Sequence, residues 1–479
     1  MIHHPSQYSE KLDKQSLDNI IEGSLEILRT KGLIIQSEQC CEILAEAGAE
    51  VSLENRLVRF RPEMVLDNIS KIRPEWTLHA RNPKRDVTIG GGNLVVAPGY
   101  GSAFVADIEG RRREAKMADF ENLAYMSYIS ETIDITGGLL VEPNNISPAL
   151  RPLEITQALI KNSDKPFIGS VAGKEGARES LEMARIVFGE IEEKPCIVGL
   201  ININSPLRLD NQMAEALITY CRAGQPVLLT PGIMMGINAP VTVAGAICQA
   251  FAELLGCATL AQLLRPGCPV IIGLGGVGSD LRNGSTGFGR PENALAIQLG
   301  AQIARHLKIP FRCSAAVTGA RRPDCRSGYE RMLTAITAYN AGAHFCLQAA
   351  GILDSINMMS YEQYVIDIEI WSYIKRFAEP VVVDEETIGL DVVDYTTESY
   401  LTSRHTVKHM RDQIFIPALT NPDNYEIWWA SDAKDVVFHA AERVREILRH
   451  IQAPRLDEDV EKELTRYVSE RRKTLEKVS

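Results

Sequence analysis

A chain of 479 residues, 45% hydrophobic and 24% charged, can bury a core without disulfides or metals and lies outside the disordered and fibrous classes. Its formal net charge of −11 argues against nucleic acid or an anionic membrane as the main partner. The opening MIHHPSQYSEKLDKQSLDNI lacks the apolar core of a signal peptide, and no apolar run is read as reaching the ~18 residues of a spanning helix, so a cytoplasmic protein is expected.

Residues 16–48 read as helices: Leu17, Ile20, Ile21, Leu25 and Leu28 recur at helical spacing before Gly32, and Cys41, Leu44 and Ala45 repeat the pattern before Gly48. A short β-like piece, Arg56 to Arg61, precedes Pro62 and another helix, giving a mostly helical extension over 1–90. Beyond residue 134, short β-branched runs alternate with helical segments. The runs are Ile135–Val141, Pro166–Val171, Cys196–Asn202, Pro226–Pro231, Pro269–Leu274, Phe311–Val317 and Ala343–Gln348. Met213–Ala223, Val241–Leu255 and Pro291–His306 lie between them as helices. Buried strands alternating with amphipathic helices signal a parallel α/β architecture, and seven such units favour a closed (β/α)8 TIM barrel over 91–400. Val95–Ala97 or Pro380–Val383 supplies the eighth strand. A helical extension over 401–479 completes the chain, with Asp457–Ser479 a solvated helix or frayed tail.

Several runs end in polar or glycine-rich loops, and in such barrels the active site lies at the strands' C-terminal ends. Gly273-Leu-Gly275-Gly276-Val-Gly278 matches G-x-G-x-x-G, but Arg282-Asn-Gly-Ser-Thr-Gly intervenes where a dinucleotide site needs a helix. A glycine-rich loop allowing close approach of a flat ligand is the preferred reading. The ten cysteines form no C-x-x-C pair and mostly sit in apolar runs, as buried small hydrophobes do. Of nine histidines only His344 falls on a barrel strand, where a satisfied core role is expected; Gln348, at the strand's end, is the better site residue. His405 and His409 share a helix face without the glutamate of a zinc motif, so no metal site is assigned. Arg321-Arg322-Pro-Asp324-Cys-Arg326 is either a solvated salt-bridged loop or a cationic collar for an anionic group. Tyr100, Phe104, Phe288, Tyr329 and Tyr361 stand near the loops, and several together would suit a quaternary ammonium.

Taken in order, Ala97-Pro-Gly-Tyr-Gly-Ser-Ala-Phe-Val105, Asn202-Ile-Asn-Ser-Pro-Leu-Arg208, Gly236-Ile-Asn-Ala-Pro-Val-Thr-Val-Ala-Gly245 and Phe288-Gly-Arg-Pro-Glu292 resemble the trimethylamine methyltransferase superfamily. Ser360-Tyr-Glu-Gln-Tyr-Val-Ile-Asp367 continues the likeness, which spans about residues 20 to 420. The resemblance implies a (β/α)8 barrel whose open end receives the cobalamin of a cognate corrinoid protein. The founding members use pyrrolysine, which this chain lacks; relatives without it demethylate quaternary amines such as glycine betaine, proline betaine, carnitine and γ-butyrobetaine. On that footing Tyr100, Phe288 and Tyr361 are expected as cage aromatics, with Asn202 and Gln348 orienting polar groups. Arg312 or Arg321 would receive a carboxylate, Glu362 would offset the ammonium charge, and Gly273, Gly275 and Gly276 would face the corrinoid. Family members often carry an acid where this chain has Gly319, and a histidine where it has Gln348, which puts glycine betaine itself in question. A homo-oligomer is expected. The competing readings are a barrel oxidoreductase using a dinucleotide and an inactive betaine- or corrinoid-binding protein.

Overall fold

The computed structural model describes residues 1–107, 109–394, 399–420 and 422–476. Seven parallel strands form its centre: β1 (Asn93–Val96), β2 (Phe167–Gly169), β3 (Ile197–Ile203), β4 (Val227–Pro231), β5 (Val270–Leu274), β6 (Phe311–Ser314) and β7 (Phe345–Leu347). They neighbour one another in the order β1-β7-β6-β5-β4-β3-β2, making a curled sheet. The crossovers run through α1 (Gly173–Phe188), α2 (Asn211–Arg222), α3 (Val243–Leu264), α4 (Pro291–His306) and α5 (Cys325–Ala341). After β7 come a short hairpin and α6 (Tyr361–Ala378).

Six of the seven anticipated runs are strands of this sheet; Ile135–Val141 is not a regular one. Gly137 and Gly138 interrupt it, Gly137 at φ +100°, and only isolated bridges such as Gly137 to Phe167 form. Even so, the Asp134 N–H donates to Val96 O at 2.8 Å and the Ile168 N–H to Gly137 O at 2.7 Å, so the segment touches both edges of the sheet. Of the two candidates for the further strand, the one around Val95 is right. Pro380–Val383 is irregular and its valines are exposed.

The concave face is apolar along most of its depth. Val95, Ile168, Val198, Leu228, Ile271 and Phe345 form one cluster there. A hairpin of Glu75–Leu78 with Val87–Gly90 joins it through Trp76, Leu78, Val87 and Ile89, and His79 N–H donates to Pro195 O, just before β3. The N-terminal end of the curl is thereby plugged. On the convex side the helix Lys14–Thr30, capped by Asp13, packs along α3. Contrary to expectation, α3 is long and apolar enough to cross a membrane, but 78% of its apolar window is buried within the fold. Its all-round apolarity is that of a core helix.

The C-terminal stretch is the expected helix, largely exposed but with one face docked. Glu458–Leu475 is a docked helix that buries Leu464 and Val468. Its Tyr467 hydroxyl donates to Glu179 Oε2 of α1 at 2.7 Å, and Arg471 Nε donates to Glu179 Oε1 at 2.7 Å. Helical spacing of these groups toward one acid fixes it; residues 477–479 lie outside the described residues.

Trp76→Ala is expected to lower stability by about 3–5 kcal/mol, the range for a buried aromatic truncated to alanine. A shift in the urea midpoint with unchanged far-UV circular dichroism would report it; an unchanged midpoint would mean the hairpin is not part of the folding unit.

Candidate active site

Parallel strands in register point paired side chains to the same face. Asn202 on β3 is paired with Thr230 on β4, and Gly273 on β5 with Arg312 on β6. These positions lie toward the strands' C-terminal ends, above the apolar cluster, and Arg312 dominates them. Its side chain is 2% exposed, with Nη1 donating to Thr230 Oγ1 at 3.2 Å and Nη2 to Ser314 Oγ at 3.0 Å and Gln348 Oε1 at 3.2 Å. Its Nε has no partner, and among the described residues no carboxylate forms an ion pair with it. Burial pulls its pKa down to about 10, which still leaves it charged at neutral pH. The result is a desolvated, uncompensated cation facing the open end of the sheet.

The neighbours of Arg312 explain several features of the sequence. A Cβ at Gly273 would lie 2.3 Å from Arg312 O and 2.6 Å from its Cβ, so only glycine lets β6 pass this close. At Gly275 a Cβ would stand 3.5 Å from Nη1, and at Gly276 it would collide with the Phe288 ring at 2.7 Å. The close approach expected of a flat ligand at Gly273 and Gly276 is therefore made by the protein's own Arg312 and Phe288. Nor does the loop open a helix: a small hairpin, Ser279–Asp280 with Ser285–Thr286, comes before α4. Gln348 stands just after β7 at φ +66°, strain of about 1–3 kcal/mol for a non-glycine residue. That turn aims Oε1 at Arg312 and Ser314, leaving the amide nitrogen available as a donor. Tyr100 packs, half-buried, against the interior apolar cluster, and burial raises its hydroxyl pKa.

Three anticipated residues fall elsewhere. Arg321 is 84% exposed and paired with Asp354 at 3.4 Å, on an outer cleft of about 680 Å³ that also contains Arg326, Asp280 and Phe288. Tyr361 belongs to the helix layer, where its hydroxyl donates to Asp119 Oδ1 at 2.8 Å. Glu362 is buried beside Ser360, which donates to its Oε2, and burial raises its pKa. Both sit in the first turn of α6, where Tyr361 is bonded to the helix that contains Asp119 and Glu362 leaves its buried Oε1 without a partner among the described residues. His344, expected as a satisfied core residue on a strand, lies one residue before β7 and is half-buried; its Nδ1 accepts the Phe311 N–H at 3.0 Å, and desolvation pushes its pKa down to about 3. Thr230 and Ser314 were not anticipated. The polar alternation Arg312-x-Ser314 on an otherwise apolar strand was the available signal.

The family model of trimethylamine methyltransferase (MTTB) matches residues 1–476. A glycine betaine methyltransferase of Desulfitobacterium hafniense (strain Y51) is 35% identical over 467 residues, covering 96% of this chain and 97% of that protein. A proline betaine:corrinoid methyltransferase of Eubacterium limosum is 24% identical over 438 residues, covering 86% and 87%. The crystal structure of the Methanosarcina barkeri monomethylamine methyltransferase (MtmB) aligns with TM-score 0.50 at 11% identity, over 94% of this chain and 96% of that one. That last likeness concerns the fold alone. Because the family model and the glycine betaine relative both run nearly the whole length of the sequence, the chain belongs to the trimethylamine methyltransferase family.

Proposed function

We propose that this chain transfers a methyl group from a carboxylate-bearing quaternary amine, a betaine, to the reduced corrinoid of a partner protein. In this reading the segment around Asp134–Gly137 closes the curled sheet into a (β/α)8 barrel over 91–400, flanked by 1–90 and 401–479. The observation that carries the substrate class is Arg312. A buried guanidinium without a carboxylate costs several kcal/mol in desolvation, and a ligand carboxylate would relieve it. The carboxylate role thus goes to Arg312 and not to Arg321, whose exposure and pairing with Asp354 leave little to gain.

A quaternary ammonium carries a neutral tertiary amine as its leaving group, so no acid is needed at nitrogen. The partner-borne corrinoid supplies a cobalt(I) nucleophile when bound, and the open loop at Gly275 together with the outer cleft leaves room for its approach. The chain's own residues hold and aim the substrate. Arg312 grips the carboxylate, kept in place by Thr230, Ser314 and Gln348, while the Gln348 amide and Asn202 orient polar substituents. Tyr100 and Phe288 offer ring faces to the ammonium, each contact contributing about 0.5–2 kcal/mol. The apolar depth of the curl keeps water from the reacting methyl.

A screen with free cob(I)alamin, following loss of its absorbance, tests the reaction: betaines should react and trimethylamine should not. Turnover with trimethylamine alone would overturn the proposal. In the same assay Arg312→Met should remove the preference for a betaine over tetramethylammonium, about 10- to 100-fold in kcat/KM for one charge-assisted contact worth ~1.5–3 kcal/mol. Because it removes a buried unpaired charge, that variant should be no less stable than the parent. Gln348→Glu puts a carboxylate beside Arg312, so betaine affinity should fall by about 100-fold while the thermal midpoint rises or holds. Calorimetric titration checks both, and unchanged affinity would mean that Arg312 does not meet the substrate. Tyr100→Ala should weaken binding by up to roughly thirty-fold, the equivalent of a ~2 kcal/mol cation–π contact; unchanged affinity would remove Tyr100 from the cage.

A further inference from the structure

We propose that Glu330 on α5 is a positioning residue: it seats the Phe288 ring at the site and so sets the grip on the ammonium, a role that rests on the betaine transfer proposed above. Glu330 is 6% exposed, and a buried carboxylate needs donors. Two come from the loop after β6: Oε2 accepts the Thr318 hydroxyl at 2.5 Å and the Gly319 N–H at 2.9 Å. The third is Arg326, one turn earlier on the same helix, whose Nε donates to Oε1 at 2.8 Å. That ion pair does not account for burying an acid here, since the Arg326 side chain is 43% exposed and such pairs contribute little.

What the acid also touches is the loop after β5. A Cβ at Gly289 would lie 2.6 Å from Glu330 Oε2 and 2.7 Å from its Cβ, so the Gly289 backbone, at φ +83°, lies directly against this side chain. Phe288 is the residue before it. Its ring is 5% exposed and rests on Gly276, where a Cβ would come 2.7, 2.9 and 3.1 Å from three ring atoms. The ring is thus fixed on two sides, by Gly276 directly and by Glu330 through Gly289.

Arg312 belongs to β6, so the acid that fastens the loop after β6 to Gly289 also fixes how far the ring stands from the guanidinium. A betaine carries its ammonium and carboxylate at a short, nearly constant separation. Ring and guanidinium must match that separation, because cation–π attraction needs the cation within about 6 Å of the ring centroid. A carboxylate suits the task because both of its oxygens accept. A glutamine of nearly the same volume would turn an NH2 group toward Thr318 and Gly319 or toward Arg326 Nε, donor against donor, and loosen one side of the tie.

The crystal structure of the full chain with Glu330→Gln should show the Phe288 ring displaced from Gly276 by about 1 Å or more, a misplacement large enough to matter for turnover. The ammonium charge vanishes as the methyl leaves, so a grip on it belongs to the bound substrate more than to the transition state. Its loss should therefore raise KM for glycine betaine or proline betaine about 10-fold in the cob(I)alamin assay without lowering kcat. In a Phe288→Ala background the same substitution should leave KM where it is, because the ring through which Glu330 acts is gone. A ring that stays on Gly276, a KM rise of the same factor in both backgrounds, or a lower kcat at unchanged KM would overturn the proposal. Should Glu330→Gln fail to fold, Thr318→Val, which removes only the hydroxyl donor, is read in the same way. A parent that turns over no betaine would count against the proposed substrate, and the ring position in the variant would then decide the role of Glu330 alone.

Discussion

A single buried charge organises the C-terminal end of the curled sheet. Arg312 needs acceptors in an apolar interior, and Thr230, Ser314 and Gln348 supply neutral oxygens to its two terminal nitrogens, while Nε is left without a partner among the described residues. Neutral acceptors hold the guanidinium without cancelling its charge. That choice keeps the site attractive to an anion and costs the empty protein stability. While Gly273 answers to the close passage of the β6 backbone, Gly275 follows from the buried charge, since a side chain there would cover it. So does the left-handed turn at Gln348, which no requirement of the strand itself explains.

Such strain persists only where the surroundings over-determine it. Behind the site, Arg331 and Asp367 form an ion pair fully excluded from solvent. Arg331 donates to Ala316 O and Ile352 O, and Asp367 accepts the Gly351 N–H at 2.7 Å. One pair thus ties the loop after β6 to the loop after β7, the two that follow Ser314 and Gln348. A buried pair of this sort contributes little net stability, but losing one partner would release both loops together.

The strands were legible because buried parallel strands read as short unbroken apolar runs, and α4 was read to its last residue. The segment at Ile135 was misread because Gly137-Gly138 breaks regular pairing within an otherwise strand-like run. The plug formed by Trp76, Leu78, Val87 and Ile89 escaped notice because each of its strands is only four residues long. At the site, Arg312, Asn202 and Gln348 could be picked out from strand ends and chemistry. Arg321 and Tyr361 could be named but not placed: adjacency of arginines does not reveal an ion pair with Asp354, and an aromatic beside a loop gives no sign that its hydroxyl is committed to Asp119. Family likeness supplied the reaction, while the charge balance around Arg312 required coordinates.

The chemistry at this site turns on where the substrate carboxylate sits. A crystal structure of the full chain soaked with glycine betaine or proline betaine decides it most directly. Carboxylate oxygens are expected within ~3 Å of the Arg312 guanidinium, with the unpartnered Nε among the donors. A carboxylate bound instead in the outer cleft at Arg321, with Arg312 untouched, would contradict it.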